Sequence, residues 1–233
     1  MMSGKPLKYA VAALAAAGLV AAAGLTGVAG ASATVSSPVQ VTGHPAAAGG
    51  GHRYLPDPYE FLPRVPSFRL TSASVKNGHP LPLAQLSGIL GVPGGKDISP
   101  QLSWSGFPRR AKSFVVSMYD PEAPTGSGFW HWVVVNIPAR TTSLHRGAGA
   151  LHGKSLPAGA FQLDADYGVA RYIGGAPPRG SGIHDYYITV TALDEASTGV
   201  TAATSPALLG FLIDSHTIAR ATIICPTAAP PAP

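Results

Sequence analysis

One acid, two histidines and a tyrosine in this chain are spaced so that strands could bring them together: Asp120 and His131 in "YDPEAPTGSGFWHWVVVNIP", and His184 and Tyr186 in "IHDYYITVTALD". Imidazole N–H and phenol O–H groups donate hydrogen bonds. A carboxylate placed behind an imidazole orients it and favours its protonated form. Donors of this kind suit an anion. A stretch too long for a tight hairpin, "RYIGGAPPRGSG", precedes His184 and contains Gly174, Ala176 and Pro178. Glycine lets a ligand approach the main chain, so such a loop can offer backbone N–H groups to the same anion.

Strand parity says how these residues could meet. In "SFVVSMYD" Phe114, Val116, Met118 and Asp120 share one face, with Val115, Ser117 and Tyr119 on the other. In "HWVVVNIP" His131, Val133, Val135 and Ile137 share a face, and Trp132 falls opposite. If the two runs are antiparallel neighbours joined by residues 121 to 130, Asp120 and His131 lie at the same end. The run from His184 puts Tyr186, Ile188 and Val190 with it, and Asp185 and Tyr187 on the reverse. Trp104, Trp130 and Trp132 all lie in strand-like motifs; parity assigns Trp132 to packing, and Trp130 is a candidate for the border of a pocket.

The chain has 233 residues, 45% hydrophobic and 12% charged, which suits one medium-sized domain with tails. Residues 1–33 read as a cleavable signal peptide: Lys5 and Lys8, an Ala/Leu/Val/Gly run, then Ala31-Ser32-Ala33 before Thr34. An uncleaved anchor is the alternative, made less apolar by its alanines and glycines. Export is therefore expected, with no spanning segment in the mature chain. Residues 34–57 form an Ala/Gly/Pro-rich leader, 58–225 a domain, and 226–233 a disordered Pro/Ala tail. Cys225 is the only cysteine, so no internal disulfide forms. The formal charge is +5; removing Lys5 and Lys8 lowers it without creating any basic cluster of the kind nucleic acids require.

Apolar or alternating runs with turn residues between them predict a mainly β domain: "SFRLTSASV", "LSWSGF", "SFVVSMYD", "HWVVVNIP", "YYITVTALD" and "ATIICP". Helical signal is weak near Ala84 to Leu90. It is better in "SPALLGFLIDSHTIAR", where Ser205 can cap and Pro206 fits the first turn.

"SPQLSWSGFP", "YDPEAPTGSGFWHWVVVNIP", "YIGGAPPRGSGIHDYYITVTALD" and "HTIARATI" together resemble the phosphatidylethanolamine-binding protein (PEBP) family, especially its bacterial Raf-kinase-inhibitor-like branch. The resemblance covers nearly the whole domain, in the family's order. It implies two packed antiparallel β-sheets with a few short peripheral helices. It also implies a small pocket at one end for phosphate-like anions, with Asp120, His131, Pro178, His184 and Tyr186 at the family's pocket positions. Ala176 stands where the family often has glycine or proline, so the loop amides are expected to be presented differently. Asp185 replaces the family's usual arginine, and on parity it faces away from the pocket.

The resulting expectation is an exported protein that binds a small anion such as phosphate or a phosphoethanolamine headgroup, with no metal or organic cofactor. Three alternatives use the same residues. Two histidines and a carboxylate can form an open metal site, although no "HExxH" or close "HxH" spacing supports one. A serine hydrolase would need a nucleophile beside a base; there is no "GxSxG", and Ser103, Ser105 and Ser127 have no evident base, so no covalent catalysis is expected. An inhibitor or interaction module of the same scaffold could meet an extracellular protease.

Overall fold

A computed structural model describes residues 56–229. Among these residues eight strands, all paired antiparallel, form two sheets. The smaller sheet has the order β1 (Arg69–Thr71), β2 (Leu102–Ser105), β5 (Ser143–Leu144). The larger has the order β6 (Phe161–Gln162), β4 (Phe129–Pro138), β3 (Ser113–Asp120), β7 (Ile183–Leu193), β8 (Thr217–Ala228). The mainly β reading therefore holds, with two sheets and one short helix, α1 (Pro206–Ile213).

The principal core joins the two sheets. Phe114, Val116 and Met118 of β3 and Tyr186, Ile188 and Val190 of β7 meet Leu102 and Trp104 of β2 and Leu144 of β5. The opposite face of the larger sheet, with Val115, Val133, Val135 and Leu193, is covered by Leu209 and Ile213 of α1. With apolar residues needed on both faces, β3 reads as an almost unbroken hydrophobic run. The Ser205 side chain accepts a hydrogen bond from Leu208 N–H and caps α1, with Pro206 in its first turn.

Strand β4 departs from simple alternation at two places. Met118 pairs with Trp132 but Tyr119 with Trp130, which leaves His131 as the extra residue of a β-bulge. A second irregularity falls where Phe114 pairs with Ile137 and Val116 with Val134. Here Asn136 takes a φ of 56°, and its Oδ1 accepts from Thr198 N at 2.9 Å and Thr198 Oγ1 at 3.0 Å. The expected single face of His131, Val133, Val135 and Ile137 is thus corrected. Val133 and Val135 pack under α1, whereas Trp132, Val134 and Ile137 enter the inter-sheet core.

Two other expectations change. The weak helix near Ala84 is a single 3-10 turn, Leu83–Gln85. The helical run ends at Ile213, and after a 3-10 turn at Asp214–His216 the chain becomes β8, which pairs with β7 along its whole length. Cys225 does not close that strand. It continues through Pro226 and Thr227 to Ala228, so the tail begins later than its proline-rich composition indicates. Proline is tolerated there because β8 is the edge strand. The signal segment, most of the leader and the end of the tail lie outside the described residues.

Asn136→Val should destabilise the domain by about 1 to 3 kcal/mol, because a β-branched residue is strained at positive φ and the hydrogen bonds to Thr198 are lost. Asn136→Gly, which keeps the conformation but not those bonds, should lose less. Urea denaturation of the two variants orders them, and equal losses would show that backbone strain is unimportant at this position.

Candidate functional site

Three neighbouring strands supply the site. Asp120 ends β3, His131 sits in the bulge near the start of β4, and His184 and Tyr186 open β7. The structure brings all four together on the inter-sheet side and buries them: 2% of Asp120, 3% of His131, 1% of His184 and none of Tyr186 is exposed. The expectation that Asp120 and His131 share a face is met through the bulge rather than through regular alternation.

Asp120 is the hub. Its Oδ2 accepts from His184 Nδ1 at 2.8 Å and lies 4.0 Å from His131 Nε2. Its Oδ1 accepts from Glu122 N–H at 3.0 Å, and the Tyr186 phenol hydrogen-bonds the same carboxylate. Because a carboxylate only accepts, the proton on His184 Nδ1 is fixed, and neutral His184 presents a lone pair at Nε2. That lone pair faces Ser181 Oγ at 2.8 Å. The Ser181 hydroxyl donates to the Pro178 carbonyl at 2.7 Å, so its one hydrogen cannot at the same time be given to His184.

His131 has a different setting. Its Nδ1 lies 3.1 Å from the Ile173 carbonyl and donates to it, while Nε2 is buried with no hydrogen-bond partner. Burial pushes its pKa down to about 4, although Asp120 and the carbonyls of the loop pull the other way. His131 is therefore neutral near pH 7, which corrects the expectation that Asp120 holds it protonated. Desolvation outweighs a carboxylate that is not in hydrogen-bond contact. Burial first and Asp120 second raise the Tyr186 phenol well above its ordinary range, so it remains a neutral donor.

The loop residues have particular tasks. The Gly174 amide donates to Asp97 Oδ1 at 2.8 Å, and the Ala176 amide donates to the Tyr186 hydroxyl at 3.0 Å. Both amides are thus engaged within the protein, rather than presented to a ligand as the loop reading held. Gly174 is glycine because a Cβ there would collide with the backbone of Leu86 and Ser87. Pro178 is exposed and meets the site only through its carbonyl, at Ser181. Asp185 lies on the reverse face, and its N–H donates to Glu122 Oε2 at 3.0 Å. Trp130 packs against Tyr119, ring centroids 4.4 Å apart, and lines an apolar cleft of about 480 Å³ beneath α1. It therefore does not border the site.

Sequence reasoning missed Ser181, Asp97 and the Ile173 carbonyl. Ser181 had a visible signal, a serine between two glycines just before His184. The other two depend on long-range packing. Among the described residues no group of three or more His, Cys, Asp or Glu side chains is disposed to hold a metal ion. Nor is any helix among them long and apolar enough to cross a membrane.

His131 makes stability depend on pH. The unfolded chain binds this proton near pH 6.5 and the folded one only near 4, so stability is fully present above pH 6.5 and declines as pH falls towards 4. The loss from this group between pH 7 and pH 4.5 should be about 2 kcal/mol. Denaturant titrations at the two pH values measure it, and His131→Gln should flatten the difference. An unchanged slope in that variant would assign the acid sensitivity elsewhere.

Comparison with known proteins places the chain in a family. The phosphatidylethanolamine-binding protein family model matches residues 71–227. The UPF0098 proteins YbcL and YbhB of Escherichia coli K12 are each 43% identical to the chain, over 163 and 155 residues. Those alignments cover 70% and 66% of this chain and 88% and 96% of theirs. The crystal structure of E. coli YbcL, titled a new member of the mammalian PEBP family, aligns with a TM-score of 0.68 at 41% identity. It covers 70% of this chain and 99% of that one. A PEBP homologue from Chlamydia trachomatis aligns with a TM-score of 0.57 at 27% identity, over 70% of this chain and 99% of its own.

Proposed function

The chain belongs to the phosphatidylethanolamine-binding protein family, and we propose that it is an exported protein that binds a small phosphate-bearing or other anionic ligand at Asp120, His131, His184 and Tyr186. The observation that carries the reading is the unpartnered Nε2 of His131, a buried polar atom beside a second imidazole whose outer nitrogen is met only by the hydroxyl of an exposed loop serine. A buried polar atom without a partner is uncommon and costly, and a ligand that supplies the partner recovers that cost.

A phosphate group suits both nitrogens. Neutral His131 Nε2 can accept from a protonated phosphate oxygen, or it can take up a proton and donate to an unprotonated one. His184, its Nδ1–H fixed on Asp120, can likewise take up a proton at Nε2 and donate once Ser181 is displaced. Asp120 stands behind the His184 ring and lies 4.0 Å from Nε2 of His131, on the side of that ring that would meet the ligand. It favours the protonated forms of both rings when an anion arrives, and its own lone pairs are already engaged. Export rests on the sequence pattern of residues 1–33, and the surface of a membrane is one source of the headgroup.

Calorimetric titration of the chelated protein with phosphate and with phosphoethanolamine tests the reading. Affinity should rise as pH falls from 8 to 5, with net proton uptake read from the dependence of the enthalpy on buffer ionisation. A His131→Ala, His184→Ala double variant should not bind. Absence of binding by the parent at every pH would eliminate the reading, and affinity that is flat with pH would eliminate the role given to the histidines.

A further inference from the structure

The side chains of Ser181, His184 and Asp120 are connected in the order nucleophile, base and orienting acid. Ser181 Oγ is 2.8 Å from His184 Nε2, and His184 Nδ1 is 2.8 Å from Asp120 Oδ2. These contacts use the correct imidazole nitrogens: the carboxylate requires the proton on Nδ1, which leaves Nε2 as the acceptor for a hydroxyl proton. Only the first of the three is exposed. Ser181 is exposed, while His184 and Asp120 are 1% and 2% exposed. A reagent can therefore reach the hydroxyl while water is kept from the pair behind it.

We propose that Ser181 is a nucleophile activated by His184, with Asp120 as the positioning residue, and that it is acylated by small carboxylic esters. Ser181 sits between Gly180 and Gly182, with φ of 79° and 89°. This left-handed backbone is open to glycine, and two neighbours without a Cβ let a carbonyl group approach the main chain beside Oγ. The Ser181 N–H already donates to Pro178 O at 3.2 Å and is not free to receive an oxyanion.

The steps balance without a cofactor. Ser181 Oγ bonds to the ester carbonyl carbon and its proton passes to His184 Nε2. The carbon–alkoxy bond then breaks, and the alcohol leaves with that proton. Water next attacks the acyl carbon, gives a proton to His184, and releases the acid as the proton returns to Ser181 Oγ. In the structure the Ser181 hydroxyl donates to the Pro178 carbonyl, 2.7 Å away, so its hydrogen must swing onto His184 Nε2 before the base can take it.

The groups facing His184 are Asp120, Ser181, His131 and Tyr186. The test is labelling of the folded parent protein with a fluorophosphonate probe, followed by peptide mass spectrometry. A single adduct on Ser181 is expected, absent in Ser181→Ala. His184→Gln should slow labelling by about a hundredfold or more. Asp120→Asn should slow it too and move the acid limb of the rate–pH profile to lower pH, because the carboxylate that favours the imidazolium is gone; a merely structural role for Asp120 would not shift the profile. In parallel, p-nitrophenyl acetate should give a burst of p-nitrophenol that Ser181→Ala lacks. No adduct on Ser181 in the parent would overturn the proposal, as would labelling at an unchanged rate in folded His184→Gln. Phosphate titration of the parent protein, run beside the labelling, keeps this result separate from the anion reading.

Discussion

A carboxylate buried at the end of a strand must be surrounded by donors, and much of this end of the molecule follows from that need. Removing a carboxylate from water costs several kcal/mol even after relaxation. At Asp120 that cost is offset by an imidazole N–H, a backbone amide and a phenol. Each donor commits another element. His184 and Tyr186 fix the register of β7 against β3, and Glu122 N–H fixes the turn that leaves β3. Glu122 in turn accepts from Asp185 N–H, which ties that turn back to β7.

The bulge in β4 follows from the same constraint. With regular alternation, His131 would lie on the face of Val133 beneath α1, away from Asp120. One additional residue in β4 turns it towards the acid while Trp132 still reaches the inter-sheet core, where its Nε1 donates to Gln162 Oε1 at 2.8 Å. The second irregularity, at Asn136, restores the inward face for Ile137. Two local departures from ideal pairing therefore place His131 beside Asp120 without exposing the strand's apolar residues. This is the usual role of bulges beside functional sites.

The mainly β class and the main strands were legible because they depend on local patterns of apolar runs and turn residues, whereas the two packed sheets and the grouping of Asp120, His131, His184 and Tyr186 were implied by motifs that resemble the family's. What was not legible depends on partners distant in sequence. No alternation rule reveals a bulge, since parity assumes an unbroken ladder. Nor does composition disclose that the Gly174 amide is engaged by Asp97, or that "HTIAR" pairs with β7 instead of extending α1. The charge state of His131 was misread for a related reason. A nearby acid is visible in sequence, but complete burial is not, and burial was the larger effect.

The loop before β7 shows how a closed cluster can still be reached. Its first part is held firmly: Gly174 N–H on Asp97, Gly175 N–H on the Gln85 carbonyl, Ala176 N–H on Tyr186. Pro177 and Pro178 then restrict the backbone, and in the segment from Arg179 to Gly182 the glycines carry positive φ values. Ser181 is the side chain by which that segment touches the cluster. An anion that takes His184 Nε2 must displace the serine hydroxyl, and a hydroxyl that attacks an ester must first hold that nitrogen. Binding and nucleophilic attack thus compete for one lone pair. The Ser181 contact, about 1 kcal/mol net for a typical hydrogen bond, sets the scale of that competition.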